Sequence, residues 1–230
     1  MSDQKARIKN PFTWFDACYV LSDPVTQRQD DCRERLTTVG IYNPTFQYAK
    51  CTPSLVMNNM RRNPAVEFAV NLGHIKNVVH ALDLGAARPV FFEDDVDFMP
   101  GAEDILGMAL AQLPEWWSVL YLGGHPREPI TRYSDNLVHA KTWSCAEGYA
   151  INGWWLAQFF DYWLDHISKP NAMFDFILGE FAKETERAYA TCPLVTHQPD
   201  GWSFIGTKTD SKRDLIQRGW KNNLDETLCD

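Results

Sequence analysis

The stretch Pro89-Val-Phe-Phe-Glu-Asp-Asp-Val-Asp97 sets the fold, because an unbroken apolar run stops abruptly at a group of carboxylates. A short apolar run without polar alternation reads as a strand buried on both faces, which needs helices above and below it in an α/β layer fold. The flanking segments agree. Phe15 to Leu21 and Ser118 to Leu122 are further short apolar runs, closed by Ser22-Asp23-Pro24 and Gly123-Gly124. Helical stretches separate them: Thr26 to Val39, Ser54 to Arg62, Ala65 to Leu84 with Gly85 as C-cap, and Gly101 to Leu113, apolar along one face. Tyr42 to Pro53 is irregular, with one strand at Thr45 to Ala49. After a polar loop reaching Asn136, Leu137 to Lys141 reads as an edge strand, Gly148 to Phe160 as a core strand followed by a helix, and Arg187 to Thr191 as the last strand. Helices fill Trp154 to His166 and Phe174 to Glu184. Strands spaced by more than a hairpin's length predict a mostly parallel central sheet flanked by helices. Ligands of such sheets sit outside the carboxyl ends of the strands, so residues 93–97 fall at the expected site.

The chain has 230 residues, enough for one domain with a core that needs no staple. Its net charge of −8 and lack of a basic stripe argue against bulk nucleic-acid binding. No apolar span approaches the ~20 residues that cross a bilayer, and no apolar run follows the charged start as a secretory signal requires. The cysteines at 18, 32, 51, 145, 192 and 229 show no metal-finger spacing and read as reduced thiols, which predicts a cytoplasmic protein. Aromatic residues reach 13%, which suits either a large core or stacking on sugar rings and bases.

Glu93, Asp94, Asp95 and Asp97 repel one another unless a cation or hydrogen-bond donors sit among them. A hard divalent cation is one solution, and one that shares its shell with a diphosphate needs only one to three protein ligands. The plain alternative is a solvated acidic turn that helps cap the helix at Gly101. Side chains alternate along extended backbone, so Glu93, Asp95 and Asp97 share a face and Asp94 points the other way.

Phe91-Phe-Glu-Asp-Asp-Val-Asp-Phe98 resembles the Glu-Asp-Asp segment of glycosyltransferase family 25, the lipopolysaccharide and procollagen galactosyltransferase-like enzymes. That segment is the family's version of the Asp-x-Asp motif of GT-A folds. Other segments are similar in family order: Tyr19-Val-Leu21 followed by Arg28 and Arg35, Asn71-Leu-Gly-His74, Ser118-Val-Leu-Tyr-Leu-Gly123 and Glu147-Gly-Tyr-Ala-Ile151. Phe174-Asp-Phe-Ile-Leu178 and Pro193-Leu-Val-Thr-His-Gln198, with Ser203-Phe-Ile205, complete the set. Two positions depart from the pattern: Leu21-Ser22 stands where the family carries Asn-Leu, and Gly73 stands where it carries Ser.

The resemblance implies a GT-A nucleotide-diphospho-sugar transferase domain over 15–206, an N-terminal extension at 1–14, and a tail at 207–230 packed on or extending the domain. It implies a metal-dependent enzyme that moves galactose or glucose from a nucleotide-diphosphate sugar, a UDP-sugar, to an acceptor hydroxyl with inversion. Glu93, Asp95 and His197 would hold Mn²⁺ or Mg²⁺, and Leu21, Arg28, His74, Glu93 and Asp94 would meet the donor. Asp175, then Glu147, would be the base that deprotonates the acceptor. A helix-capping Asp175 and a surface-loop His197 are the plain alternatives. Trp143 and Trp202 are the expected acceptor platforms, while Trp154, Trp155, Phe159, Phe160 and Trp163 recur at helical spacing and read as core. The acceptor is a glycan, a lipid-linked glycan or a protein; a nucleic-acid base is a further class, disfavoured by the net charge. Rival functions are a nucleotide-sugar or glycan-binding module without catalysis, and a phosphohydrolase with two metals about 4 Å apart.

Overall fold

A computed structural model describes residues 8–22, 26–48, 64–169 and 172–199. The strands are β1 (Ala17–Ser22), β2 (Thr45–Tyr48), β3 (Pro89–Glu93), β4 (Asp97–Phe98), β5 (Val119–Tyr121), β6 (His125–Pro126), β7 (Thr131–Ser134), β8 (Leu137–His139), β9 (Trp143–Ser144), β10 (Gly148–Ile151), β11 (Tyr189–Thr191) and β12 (Thr196–His197). The helices are α1 (Thr26–Thr38), α2 (Pro64–Asp83), α3 (Ala102–Gln112), α4 (Leu156–His166) and α5 (Phe174–Thr185), with 3-10 turns at Pro11–Trp14 and Gly153–Trp155. The predicted helix at Ser54 to Arg62 lies outside the described residues. Among the described residues no helix is long and apolar enough to cross a membrane.

Eight strands form one sheet in the order β2-β1-β3-β10-β5-β11-β8-β7. Pairing is parallel between β2, β1 and β3 and between β5 and β11, and antiparallel where β10 enters between β3 and β5 and where β8 separates β11 from β7. Six strands therefore share one direction, as the spacing predicts, and β10 and β8 run against them. The polar segment before Asn136 is not all loop, since Thr131–Ser134 pairs with the edge strand β8. Its side chains are mostly exposed, so no apolar alternation marks it in the sequence.

Alternation sorts the strands' side chains onto two faces. Tyr19, Phe91, Tyr149 and Tyr121 pack on one face with residues of α2, α4 and α5. Val20, Val90, Phe92 and Leu120 pack on the other with α1, α3 and the Pro11–Trp14 turn. Tyr19, Phe91 and Tyr149 stack across neighbouring strands at 5.5 and 5.0 Å, so much of the aromatic content is a core ladder. Each fully buried ring of β3 contributes about 2–3 kcal/mol by removal from water. Phe12 is buried in the second layer, so the Pro11–Trp14 turn packs on the sheet, while Lys9, Asn10 and Thr13 are exposed.

Candidate functional site

β3 ends at Glu93, and the turn after it follows the predicted alternation, with Asp94 and Val96 buried and Glu93, Asp95 and Asp97 partly exposed. β4 then pairs antiparallel with β12, His197 opposite Asp97, which brings the closing segment of the domain against the acidic turn. Gln198, one residue on, donates its amide Nε2 to Glu93 Oε2 and Asp95 Oδ1, each at 2.8 Å. The two carboxylates thus converge on one point at the carboxyl end of β3.

Asp94 faces inward and is tied on every side. Its amide donates to the Leu21 carbonyl at 2.9 Å, Ser22 Oγ donates to Oδ2 at 3.0 Å, and Arg28 meets Oδ1 at 2.6 Å. Arg35 donates to its carbonyl at 2.8 Å. Asp94 therefore clamps β1 and α1 to the turn, and the expected donor contact is corrected to a buried structural one. Arg28 also reaches Asp95 Oδ2 at 3.6 Å, so its guanidinium lies at the mouth of the turn, where an anionic ligand would meet it.

The expected three-ligand metal centre is not gathered. Among the described residues no three His, Cys, Asp or Glu stand together so as to hold a metal ion. His197 Nε2 lies 4.0 Å from Asp97 Oδ2, while Glu93 and Asp95 share Gln198. The carboxylate repulsion is relieved by the donors Arg28 and Gln198, the second solution that the residues allow. A cation completed mainly by diphosphate oxygens needs only one or two carboxylates. The convergence of Glu93 and Asp95 fits that smaller requirement once the Gln198 amide yields the point between them.

Other expected contacts are corrected by burial. His74 is 0% exposed, stacked on Phe174 at 4.3 Å, with Nδ1 3.2 Å from Tyr149 Oη and Nε2 3.4 Å from Glu93 Oε1. It positions Glu93 from beneath and does not reach a donor. Leu21 is buried, and a Cβ on Gly73 would collide with its side chain. Leu21 and Gly73 thus lie against one another, and the missing side chain at Gly73 leaves room for Leu21. Glu147 is 0% exposed and accepts the Gly124 amide at 2.6 Å, so it shapes the turn after β5 from within. Gly124 has φ 96°, and a Cβ there would strike the Ser144 carbonyl and Trp143 Nε1.

Trp143 is 0% exposed, stacked on Tyr121 at 5.4 Å and donating to the Gly123 carbonyl at 2.8 Å; it is core and not an acceptor platform. Trp202 lies outside the described residues. Among the described residues the exposed indoles are Trp154 at 69% and Trp116 at 55%, edge to face at 6.1 Å. Trp154 sits in the 3-10 turn before α4, where helical spacing does not yet govern direction. Trp154→Ala is expected to change the unfolding free energy by no more than about 0.5 kcal/mol. Urea denaturation checks this, and a loss of ~3 kcal/mol would place the ring in a packed environment.

Asp175, in the first turn of α5, is half-buried and accepts the amides of Cys145 at 3.1 Å and Phe176 at 3.0 Å. Burial raises its carboxyl above the ordinary aspartate value and the Glu93 charge adds to this, while the two amides and His74 pull it back. A carboxylate so held is a candidate base beside the acidic turn. Cys145 itself has φ 70°, a left-handed conformation that costs a non-glycine residue about 1–2 kcal/mol. No sequence motif marks Cys145 or its neighbour His125; they meet only because β6 pairs with β9.

No family model matches the chain, and no curated protein matches it. Among solved structures it is similar to a glycosyltransferase involved in the glycosylation of the major capsid of PBCV-1, at 10% identity and TM-score 0.48, over 82% of this chain and 95% of that one. It is also similar to mannose-1-phosphate geranyltransferase from Thermus thermophilus, at 12% identity and TM-score 0.41, over 76% of this chain and 73% of that one. Likenesses at these levels carry no assignment of activity. The fold class itself is plain from the strand order: α/β, with a large mixed sheet flanked by helices.

Proposed function

We propose that the chain is a GT-A type glycosyltransferase that moves a hexose, galactose or glucose, from a nucleotide-diphosphate sugar to an acceptor hydroxyl with inversion. The observation that carries this reading is the convergence of Glu93 and Asp95 on one point at the carboxyl end of β3, with Arg28 beside Asp95. Asp175 stands close enough to Glu93 to feel its charge. A UDP-sugar is the donor that the resemblance to family 25 implies.

Glu93 and Asp95 would hold Mn²⁺ or Mg²⁺, with the donor's phosphates completing the shell. When bound, such a cation neutralises the diphosphate and stabilises charge on the departing nucleotide. Arg28 adds a second positive charge toward those phosphates, and Asp94 fixes its direction. His74 orients Glu93, and Asp175 takes the proton of the acceptor hydroxyl as that oxygen attacks the anomeric carbon. The acceptor is a glycan, lipid-linked glycan or protein.

The test is a nucleotide-sugar panel with and without Mn²⁺, scoring free nucleotide, together with calorimetric titration of Mn²⁺ in the presence of UDP. Turnover with a UDP-hexose that needs the cation is expected. Asp95→Asn should raise the Mn²⁺ concentration for half-maximal turnover at least about tenfold, since even residues that only support a metal's ligands are worth that much. Equal behaviour of variant and parent, or no binding of any nucleotide sugar, would remove the proposal.

A further inference from the structure

Cys145 and His125 meet at the rim of the candidate site, and the transferase chemistry makes no use of either. Cys145 Sγ lies 3.6 Å from His125 Nδ1. His125 opens β6 directly after the Gly123-Gly124 turn, and Cys145 follows β9, the strand paired with β6. Both keep part of their surface in solvent. The Cys145 amide is held by Asp175 Oδ2, which fixes where its side chain leaves the backbone. A thiol with a basic nitrogen at this distance and a solvent path has what a nucleophile needs, a group to take its proton and access for the electrophile.

We propose that Cys145, with His125 as its proton acceptor, is a nucleophilic thiol that peroxides oxidise to the sulfenic acid, a modification site adjoining Asp175. Sγ attacks one peroxide oxygen, and the S–O bond forms as the O–O bond breaks. His125 Nδ1 takes the thiol proton and passes it to the departing hydroxide, which leaves as water. The sulfur is oxidised and the peroxide reduced, with no other reactant.

Arg127 faces His125, and its charge together with burial, the larger effect, holds the ring below the ordinary histidine value. The imidazole is therefore neutral at pH 7 and free to accept a proton. Asp175 on α5 holds the Cys145 amide while Sγ lies against His125, so the imidazole is the group placed to take the thiol proton. Two other described cysteines contrast sharply: burial pushes the Cys32 thiol up to about 12 and the Cys18 thiol still higher.

The experiment is timed iodoacetamide labelling of the folded full chain, read cysteine by cysteine by peptide mass spectrometry between pH 5.5 and 9. Cys145 is expected to label at least about tenfold faster than Cys18 and Cys32 at pH 7, with its rate already on a plateau there. His125→Gln should lower that rate about tenfold and restore a rise centred near ~8.5, the value of a solvated thiol. Brief peroxide followed by dimedone should tag Cys145 in the parent. A parent profile centred at or above ~8.5, an unchanged rate in His125→Gln, or no dimedone adduct on Cys145 overturns the proposal. These measurements read the thiol alone, so they stand whether or not the transferase reading survives.

Discussion

Asp175→Asn is expected to lower turnover by about 10²–10⁴-fold, the usual contribution of a positioned base, while nucleotide-sugar binding holds. A base must be deprotonated to act, and burial has raised this carboxyl above its ordinary value despite two amide donors. The acid limb of kcat/KM should therefore lie above the ~3.9 of a solvated aspartate, and the residual rate of the variant should have no such limb. Stability moves the other way. With the folded value raised, the folded chain holds more protons than the unfolded one between the two values. Stability is thus fullest below the unfolded value and falls as pH rises through the folded value. Asn removes the half-buried charge but keeps a single acceptor, so of the Cys145 and Phe176 amides, which meet different oxygens of Asp175, one loses its partner. The variant should unfold within a few degrees of the parent, because the lost amide bond, about 1 kcal/mol, opposes the gain from removing the charge. A carboxylate that only holds the start of the helix predicts turnover intact in the variant, so turnover separates the two roles.

The strands are legible in the sequence because burial on both faces leaves runs such as Pro89 to Phe92, and α3 because its apolar positions repeat at helical spacing. The inward direction of Asp94 agrees with the expected alternation, but its cause is a turn closed by the Val96 amide on the Glu93 carbonyl, which the residues alone do not announce. What stays hidden depends on pairings between distant segments. Nothing local announces that β10 enters antiparallel between β3 and β5, or that β12 lies on β4 and carries Gln198 to the carboxylates. The tryptophans mislead in both directions for the same reason. Trp143 reads as a loop residue but lies beneath the turn after β5, and Trp154 reads as helical but precedes the helix.

Asp94→Ala should cost about 2–3 kcal/mol of stability, the loss of charge-assisted hydrogen bonds by Ser22 and by a partly exposed Arg28. Arg28 would lose the 2.6 Å contact and Ser22 its acceptor, both at the junction of β1, α1 and the acidic turn. For a chain of this size ~1 kcal/mol moves Tm by about 2–4 °C, so calorimetry should show a drop of ~7 °C. The Arg35 bond runs to the Asp94 carbonyl and survives the substitution, which keeps the turn from opening entirely. Asp94→Asn should fall between, because the amide retains an oxygen for Ser22 but gives up the charge that Arg28 meets. A double-mutant cycle with Arg28→Ala then isolates the pair, and a coupling of more than ~1 kcal/mol is expected from their contact. If Asp94 instead served the donor directly, its loss would raise the donor KM with Tm nearly unchanged. A large fall in Tm with a coupling to Arg28 assigns the residue to the scaffold that aims Arg28 at the diphosphate.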